Sequence, residues 1–470
     1  MTIARAGRPA TVLTRLLPPV VVGVVGATAG HSIAGMSVRV PKPLALLLAA
    51  AGAAILLTIT STQLFLGWLF LAPLFQESAS NTRVGHALAL ALYVAPPLVL
   101  VAKFFTSDGK RLGRRWVDLL PAVYVAFVVG SLVVTASGEL RSGAVGTLRA
   151  LYQNVALGVI VYYLVAFWRG RAFSRTAVAR VLLLAAALQA AMAAVEWATG
   201  WNLWQDTRWQ NPGDTRAIAT LANPAVTGAF IGVGIVLALA ILCWTGPRQL
   251  HRLAGIMLVV GLPGLYATKT RGPILATVVA ALLVLLLSKR SRVVGLGVVA
   301  VVVLLLVVFW PQIRSSAVYQ TRFAQKQNVE ARLVLQDVSV KLIEKRPILG
   351  WGYDSFDRVK YDVAVPSGTV PLAQALQSTS HDTFLTMLVE YGVVGFVLFL
   401  FPWLAIGAGA VRRLRTAVAD RWFLVAGLAS ILLLAINGAT LDYRFFSFVP
   451  MLGWMFLGLL RRELRAPAPA

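Results

Sequence analysis

Long apolar segments recur along the 470-residue chain, separated by short polar connections. Segments of about 17 to 25 residues, wound as helices, cross the hydrocarbon core of a bilayer. Helices are expected because a backbone in lipid must satisfy its own hydrogen bonds, and short alternating barrel strands do not occur. The pattern predicts an all-α, polytopic transmembrane helical bundle with about 12 to 14 spans. The predicted spans are 16–38, 43–60, 62–76, 84–105, 117–136, 148–168, 176–199, 222–244, 253–268, 272–288, 293–310, 381–404, 422–439 and 443–460.

One long polar segment, 311–380, interrupts this series. It divides the chain into N-terminal transmembrane helices (1–310), one large extracytoplasmic loop (311–380) and C-terminal transmembrane helices (381–470). Within the loop, the pattern predicts an amphipathic helix that follows an Asn328 cap and ends before Pro347. The residues expected on its apolar face are Leu333, Val334, Val338, Leu342 and Ile343.

The distribution of charge predicts how the spans are threaded. The chain is 58% hydrophobic and carries a net charge of +25, and its basic residues lie mainly in short connections. When the spans alternate across the membrane, the basic clusters fall on one side, and the positive-inside rule makes that side cytoplasmic. Both termini are then expected in the cytoplasm. The connections expected outside are 200–221, 269–271, 311–380 and 440–444.

The same distribution limits the classes of partner and chemistry. In a soluble protein such a charge would suggest nucleic acid, but here topology accounts for it, so no nucleic-acid partner is expected. The one cysteine, Cys243, lies in an apolar segment, which excludes an intramolecular disulfide. Residues 1–29 have the pattern of a signal peptide, which is equally that of a first transmembrane helix; the latter is favoured in a multispanning chain.

Several basic residues lie in the outer connections, where topology does not require them. A guanidinium group presents a planar fork that fits phosphate oxygens, so these residues suit an anion held at the membrane surface. Solvation or ion pairing explains them equally well, and is favoured for Arg314, Arg322 and Arg346. Arg271 stands out because it lies in a very short turn between two spans, where it must face a cavity, an acid or lipid headgroups.

His381 is the strongest candidate for acid–base chemistry. It is expected to begin a helix capped by Thr379 or Ser380, whose positive end would disfavour the imidazolium form and lower the pKa. A neutral imidazole is then available as a general base, although a structural role at the helix start is an alternative. Glu390 lies about 13 Å further along that helix and is either a functional carboxylate or an internal ion pair. Asp442 and Arg444 are expected to form a structural ion pair.

Motifs for other chemistries are absent from the sequence. It contains no phosphate-binding Walker loop, no GxGxxG after a strand, no HExxH and no metal-type His/Cys cluster. Paired acidic residues of the DxD kind are also missing from the outer connections. No cofactor or metal is therefore expected, and a metal-dependent, nucleotide-sugar glycosyltransferase is disfavoured.

The outer motifs together resemble the O-antigen ligase and O-antigen polymerase superfamily of bacterial envelopes. The resemblance covers about 215–395 and depends on the order and spacing of the motifs. Asp382 stands where asparagine is common, and Lys269-Thr270 replaces the usual small-residue–serine pair. The matching pieces are Arg216-Ala-Ile-Ala-Thr-Leu-Ala-Asn-Pro224, Thr268-Lys-Thr-Arg-Gly-Pro273, Ala331-Arg332, Arg346-Pro-Ile-Leu-Gly-Trp-Gly-Tyr-Asp-Ser-Phe356 and His381-Asp-Thr-Phe-Leu-Thr-Met-Leu-Val-Glu-Tyr-Gly-Val-Val-Gly395.

This resemblance implies a metal-independent glycosyltransferase of the bacterial cytoplasmic (inner) membrane, with its active site on the extracytoplasmic side. Its donor would be a polyprenyl-diphosphate-linked glycan, its acceptor a glycan, lipid or protein, and its surroundings membrane lipids. By the resemblance, Arg216, Arg271 and Arg332 would bind the diphosphate and His381 would be the catalytic base.

Two other functions agree with the same sequence. A transporter of small anions or solutes is one, because Pro96-Pro97, Gly232 and Gly234 permit broken helices within spans. A non-catalytic envelope-assembly protein is the other. Turnover of a lipid-linked glycan by the purified protein would separate the enzyme from both.

Overall fold

The chain forms a bundle of α-helices, seen in a computed structural model. The structure describes residues 61–75, 92–97, 99, 116–135, 143–167, 174–202, 215–244, 246–288, 291–293, 297, 310–315, 327–365, 371–377, 379–416 and 421–465. The helices are α1 (Ser61–Phe75), α2 (Leu120–Thr135), α3 (Gly143–Leu151), α4 (Leu157–Ala166), α5 (Arg175–Thr199), α6 (Pro224–Cys243), α7 (Arg248–Ala267), α8 (Arg271–Leu287), α9 (Trp310–Ser315), α10 (Gln327–Lys345), α11 (Phe356–Val359), α12 (Leu372–Ala375), α13 (Thr383–Leu414), α14 (Arg421–Gly438) and α15 (Phe448–Arg465).

The prediction of an all-α polytopic protein is confirmed: within the described ranges there is no strand, and six helices are long and apolar enough to cross a membrane. One of the six runs Val145–Ala166, where a π-helical turn, Tyr152–Ala156, joins α3 to α4. The other five are α5, α6, α7, α13 and α14, and three further apolar helices are shorter. The predicted spans 16–38, 43–60, 84–105 and 293–310, and with them residues 1–29, lie wholly or mostly outside the described residues.

Span boundaries follow the apolar pattern closely in most places. The predictions for α1, α5, α6, α8 and α14 agree to within two residues at either end. Four predictions were wrong by five residues or more at one end. The helices predicted at 148–168 and 253–268 begin earlier, at Gly143 and Arg248. The span predicted at 381–404 continues to Leu414, and the one predicted at 443–460 begins only at Phe448, because Tyr443–Phe445 forms a 3₁₀ turn.

Helix α6 lies at the centre of the bundle. Most of its residues are buried. Helices α5, α7, α8 and α14 pack around it. Close packing depends on glycine: a Cβ on Gly232 would collide with the Thr277 hydroxyl, and one on Gly234 with Ala186 at 2.5 Å. Because α6 is continuous through both glycines, they serve close helix packing and are not used for the broken helix that the transporter interpretation allowed.

Helix α13 does break, at Gly392, whose φ of 60° and ψ of −169° are not helical. The break is filled by the turn 347–352 of the large loop. Trp351 and Gly352 donate backbone N–H groups to the carbonyls of Val389 and Glu390, at 2.9 and 2.8 Å. In return, Val393 N–H donates to the Pro347 carbonyl at 2.8 Å. The loop thus satisfies backbone groups that the break frees.

The position of the break changes how Glu390 is understood. The segment 393–414 is about 33 Å long at 1.5 Å per residue, which is enough to cross the hydrocarbon core alone. Its exposed apolar side chains, including Val397 and Leu404, form a face suited to lipid. Glu390 precedes this segment, so its place as a carboxylate deep within the membrane, as the sequence suggested, is not required by the length of α13.

The large loop has a small apolar core of its own. Helix α10 contributes Leu335, Val338 and Leu342, which pack with Phe356 of α11 and with Val389 of α13. The loop helix ends at Lys345, before Pro347 as predicted, but it begins at Gln327, so the predicted cap at Asn328 is wrong. Its predicted apolar face is wrong at one position, since Leu333 is 57% exposed.

Contacts between connections define two ends of the bundle. At one end, Arg175 pairs with Glu463 at 2.6 Å, and Arg461 pairs with Asp118. At the other end lie the segment 215–223, the turn 268–270, the described part of the large loop from Gln327 onward and the segment 439–447. We call this the loop end. These are described parts of the four connections predicted to share one side of the membrane.

Candidate functional site

His381 lies on a strained turn that precedes α13. Helix α13 begins at Thr383 and Asp382 is its N-cap, with a carboxylate that accepts the backbone N–H of Phe384 at 2.8 Å. The prediction of a cap by Ser380 or the residue before it is therefore wrong, and His381 does not begin the helix. Its φ of 54° places it in the left-handed region, which a residue with a side chain rarely adopts.

Hydroxyl groups hold this turn in its unusual conformation. The hydroxyls of Ser380 and Thr386 lie within 2.9 and 3.0 Å of the Asp382 carbonyl oxygen, and the two hydroxyls contact each other. Ser380 Oγ also accepts the Asp382 N–H at 3.2 Å. Both side chains are buried. The turn is thus fixed by local hydrogen bonds that offset the strain at His381.

The imidazole of His381 is kept neutral by its surroundings. Burial lowers its pKa, the positive charge of Arg332 lowers it further, and the negative charge of Asp442 opposes both, with the result that the pKa is about 4. The sequence suggested a helix N-terminus as the cause and did not foresee burial or Arg332. Among the described residues, none hydrogen-bonds with the ring. The ring is therefore uncharged at neutral pH.

Two of the predicted arginines come together beside this histidine. Arg271 is the first residue of α8, and Arg332 lies on α10 of the large loop. Arg332 is exposed as a whole residue, yet the protein around it and the like charge of Arg271 lower its pKa. Two guanidinium groups held near each other repel, and an anion between them would relieve that repulsion. This is the arrangement expected of a phosphate or diphosphate site.

The third arginine, Arg216, lies beside the turn that carries Arg271. The backbone N–H of Ala217 donates to the Ala267 carbonyl at 3.0 Å, and Lys269 Nζ donates to Thr215 Oγ1 at 2.8 Å. Arg216 itself is half-buried. The segment 215–217 and the turn 268–270 therefore form one surface at the loop end.

Helix starts explain two of the sequence motifs at this surface. Asn223 caps α6 by accepting the Ala225 N–H at 2.8 Å, and Pro224 occupies the first turn, where its missing N–H costs nothing. The Asn-Pro motif thus fixes the end of the segment that carries Arg216. In the second motif, Gly272 allows the start of α8 to approach the Thr440 hydroxyl.

Two polar residues of α5 that sequence reasoning missed hold the Arg216 segment. Glu196 is buried, and its carboxylate accepts the backbone N–H groups of Ile218 and Ala219 at 3.0 and 2.7 Å. Gln189 accepts the Thr220 N–H at 3.3 Å. The available signal was a glutamate inside a predicted span, a position where an ionisable residue usually has a specific partner.

Strained backbone is confined to this end. Among the described residues, five that are not glycine have a positive φ; four lie in loop-end connections, and His381 directly follows one. Such residues cost about 1–3 kcal/mol each and concentrate at functional sites. They are Ala219, Ala222, Lys269, Asp354 and His381.

A buried cluster of charges lies directly behind the His381 turn, centred on Arg444. Its guanidinium contacts Asp442 at 2.7 Å, Glu390 at 2.6 Å and Asp357 at 3.7 Å. The expected pair of Asp442 and Arg444 is present, and Glu390 has the internal partner that was one of its two interpretations. Asp357, which pairs with Lys360 at 2.8 Å, was not foreseen.

Glu390 also ties the large loop to α13. Its Oε1 accepts the backbone N–H of Phe356 at 3.2 Å, in addition to the bond from Arg444. The side chain is fully buried, and Oε2 has no hydrogen-bond partner among the described residues. The loop, α13 and the segment 439–447 are therefore joined by one polar network beside the candidate site.

A family comparison matches the part of the chain that contains most of this site. Residues 256–400, which include Arg271, Arg332 and His381, match the family described as O-Antigen ligase. No curated protein matches the chain. Within the described ranges, no group of three or more His, Cys, Asp or Glu residues could hold a metal ion.

Proposed function

We propose that this member of the O-antigen ligase superfamily is a glycosyltransferase that moves a glycan from a polyprenyl diphosphate to an acceptor hydroxyl. The reaction takes place at the outer face of the bacterial cytoplasmic membrane and needs no metal ion. The observation that carries the proposal is the grouping of Arg271 and Arg332 with a neutral His381 on a strained turn.

In this proposal the arginines bind the diphosphate. Each guanidinium can donate two parallel hydrogen bonds to phosphate oxygens. As the bond between the sugar and the diphosphate breaks, the leaving oxygen takes the electron pair and becomes more negative. Arg271 and Arg332 stabilise that charge, which is the role a metal ion has in other glycosyltransferases. Arg216, on the neighbouring segment, is proposed as a third ligand.

His381 is proposed as the general base. Its neutral ring accepts the proton of the acceptor hydroxyl while the acceptor oxygen bonds to the anomeric carbon. The products are the elongated acceptor, polyprenyl diphosphate and a protonated His381, which returns its proton to solvent. The acceptor hydroxyl belongs to a glycan, a lipid or a protein, and the same step serves all three.

Donor binding is expected to make His381 a better base. A base is most effective when its pKa lies near the working pH, and the pKa of about 4 in the free protein is well below that. Part of the lowering comes from Arg332. A bound diphosphate would offset that positive charge and raise the pKa of His381. The histidine would thus be activated only when the donor is present.

The proposal is tested with the purified protein in liposomes, supplied with a polyprenyl-diphosphate-linked glycan and a hydroxyl acceptor. We expect free polyprenyl diphosphate and elongated acceptor in equal amounts, with no loss of rate when EDTA is added. Uptake of anions or solutes without turnover of the lipid-linked glycan would instead identify a transporter. Turnover that requires a divalent cation would contradict the proposed chemistry.

A further inference from the structure

Asp442 lies behind the His381 turn and contacts the two hydroxyl groups that hold it, those of Ser380 and Thr386. Its Oδ2 lies 3.4 Å from Ser380 Oγ and 3.1 Å from Thr386 Oγ1. The same oxygen accepts a bond from Arg444 Nη2 at 2.7 Å. Asp442 is 1% exposed. Each hydroxyl has one proton, which it can donate either to the Asp382 carbonyl oxygen or to this buried carboxylate oxygen, so Asp442 is a second acceptor for both.

The surrounding residues hold this carboxylate in place. Oδ1 accepts the backbone N–H of Arg444 at 3.1 Å. The Arg444 guanidinium is held from its other sides by Glu390 and Asp357, and it stacks over Phe445 at 5.1 Å. Because Asp442 and Arg444 are both held by other contacts, the carboxylate cannot move with the turn. It can therefore keep the turn in one conformation.

Asp442 also affects the pKa of the His381 imidazole. The charged groups around His381 are Arg332, with Arg271 beyond it, Asp382 on the same turn, and Asp442 with its partner Arg444. Asp442 opposes the effects of burial and Arg332 on the pKa of His381. Its negative charge thus favours the protonated ring that forms when His381 takes a proton.

We propose that Asp442 is a positioning residue for His381: it fixes the Ser380–Asp382 turn through two hydroxyls and stabilises the imidazolium formed during transfer. The inference rests on the proposed role of His381 as base. It assigns Asp442 a part in the chemical step, beyond an ion pair with Arg444. It assigns no part in binding the donor, which belongs to the arginines.

The first test is Asp442→Asn, which keeps the size of the side chain and removes its charge. Arg444 retains Glu390 and Asp357. We expect the single-turnover rate with bound donor to fall about 10- to 100-fold, since a small misplacement of a catalytic group costs that much. Donor affinity should not change. The acid limb of the pH–rate profile should move to lower pH, because the group that raises the pKa of His381 is gone.

A matched control exists at the opposite end of the bundle. Asp118 is also buried and paired with an arginine, Arg461, at 2.6 and 2.8 Å. Asp118→Asn removes a comparable ion pair, so it should lower thermal stability in the same way. Its turnover per folded molecule and its acid limb should equal those of the wild type.

A second variant keeps the proposal testable if Asp442→Asn does not fold. Thr386→Val is isosteric and removes one of the two hydroxyls while Asp442 keeps its charge. We expect a fall in the single-turnover rate, unchanged donor affinity and an acid limb close to that of the wild type.

The outcomes separate this inference from the proposed function. Wild-type single-turnover rates in folded Asp442→Asn, or in Thr386→Val if the former does not fold, would overturn the inference and leave Asp442 as a structural partner of Arg444. If His381→Ala turns over at the wild-type rate, the proposed base is wrong and the inference falls with it. Loss of activity in His381→Ala with full activity in Asp442→Asn removes the inference alone.

Discussion

Some properties of His381 can be predicted from the local sequence, and others depend on the fold. The sequence marked it as a histidine at the beginning of an apolar helix, which was enough to single it out. Its left-handed backbone is held by the neighbouring hydroxyls of Ser380 and Thr386, whereas Arg332, which lowers its pKa, lies about fifty residues away in the chain. Sequence patterns are local, so they predicted a lowered pKa but did not indicate burial or Arg332 as its causes.

The effect of Arg332 on His381 predicts two different pH profiles. Protonation removes the base, so activity falls as pH drops through the pKa of His381. In kcat/KM, which reports the free protein, the acid limb should lie near pH 4. In kcat, which reports the donor complex, it should lie at higher pH because the bound diphosphate offsets Arg332.

Coincident acid limbs in the two profiles would contradict this coupling. A folding control is needed at each pH, for which intrinsic tryptophan fluorescence suffices. Arg332→Gln provides the matched variant, because it removes the positive charge that lowers the pKa. Its kcat/KM limb should move to higher pH.

Arginine geometry is tested by lysine substitution. Arg271→Lys and Arg332→Lys keep the charge but lose the planar fork. At about 1.5–3 kcal/mol for a hydrogen bond to a charged group, transfer should fall about 10- to 100-fold in each. Arg216→Lys should also lower the transfer rate. The readout is release of polyprenyl diphosphate from a glycan donor.

Arg346 provides the control for this series. It belongs to the same loop as Arg332 and is exposed, and its guanidinium stacks over Trp351 at 4.2 Å. Arg346→Lys should therefore leave the transfer rate unchanged. If Arg271→Lys and Arg346→Lys behave alike, Arg271 is a surface residue and not a diphosphate ligand.

At the scale of the helix, the break in α13 decides how the large loop is attached. The apolar run around Gly392 predicted a continuous span, because glycine within such a run is common and gives no sign of its backbone conformation. By contrast, the starts of α6 and α8 could be read from Asn223-Pro224 and from the turn before Arg271. Caps and turns have local signatures, whereas a break filled by a distant segment has none.

The break predicts a large effect for one glycine substitution. At Gly392 the φ is +60°, and a Cβ would collide with the carbonyl of Ile348. Gly392→Ala should therefore destabilise the protein by about 1–3 kcal/mol, measured as a lower midpoint of thermal unfolding. It should also lower transfer, because the turn 347–352 ties the loop to the helix that follows His381.

Gly407 provides the control within the same helix. A Cβ there meets no atom within 4 Å, and its φ is not positive. Gly407→Ala should be neutral or slightly stabilising, since alanine is favoured over glycine by about 1 kcal/mol in a helix. Equal effects of the two substitutions would mean that the break does not constrain the protein.

At the scale of the whole molecule, apolar length and charge predicted most of the architecture. Ten predicted spans, 62–76 and those from 117–136 onward except 293–310, correspond to described helices. The four outer connections were expected together because they alternate with basic clusters, and their described parts meet at the loop end. The cluster around Arg444 was only partly foreseeable, since Asp357 and Glu390 reach it from separate elements.

The orientation of the bundle is tested by labelling single cysteines in a Cys243→Ala background. Tyr361 is 60% exposed at the loop end, and Thr416 is exposed at the opposite end. An impermeant maleimide should label Tyr361→Cys in intact spheroplasts, and Thr416→Cys only after permeabilisation. Labelling of Thr416→Cys in intact spheroplasts would reverse the proposed orientation and place the site in the cytoplasm.

As the proposed base, His381 is needed for glycan transfer from a polyprenyl diphosphate and not for binding the donor. Single-turnover release of polyprenyl diphosphate by His381→Ala, measured together with donor binding, tests it most directly. His251→Ala is the control, since His251 lies on α7 near the other end, 3.0 Å from the Gly246 carbonyl oxygen. We predict a rate about 10²–10⁴-fold lower for His381→Ala, with donor bound as in the wild type and a wild-type rate for His251→Ala. Near-normal release by His381→Ala would contradict the account, and so would loss of donor binding with unchanged release from the donor that still binds.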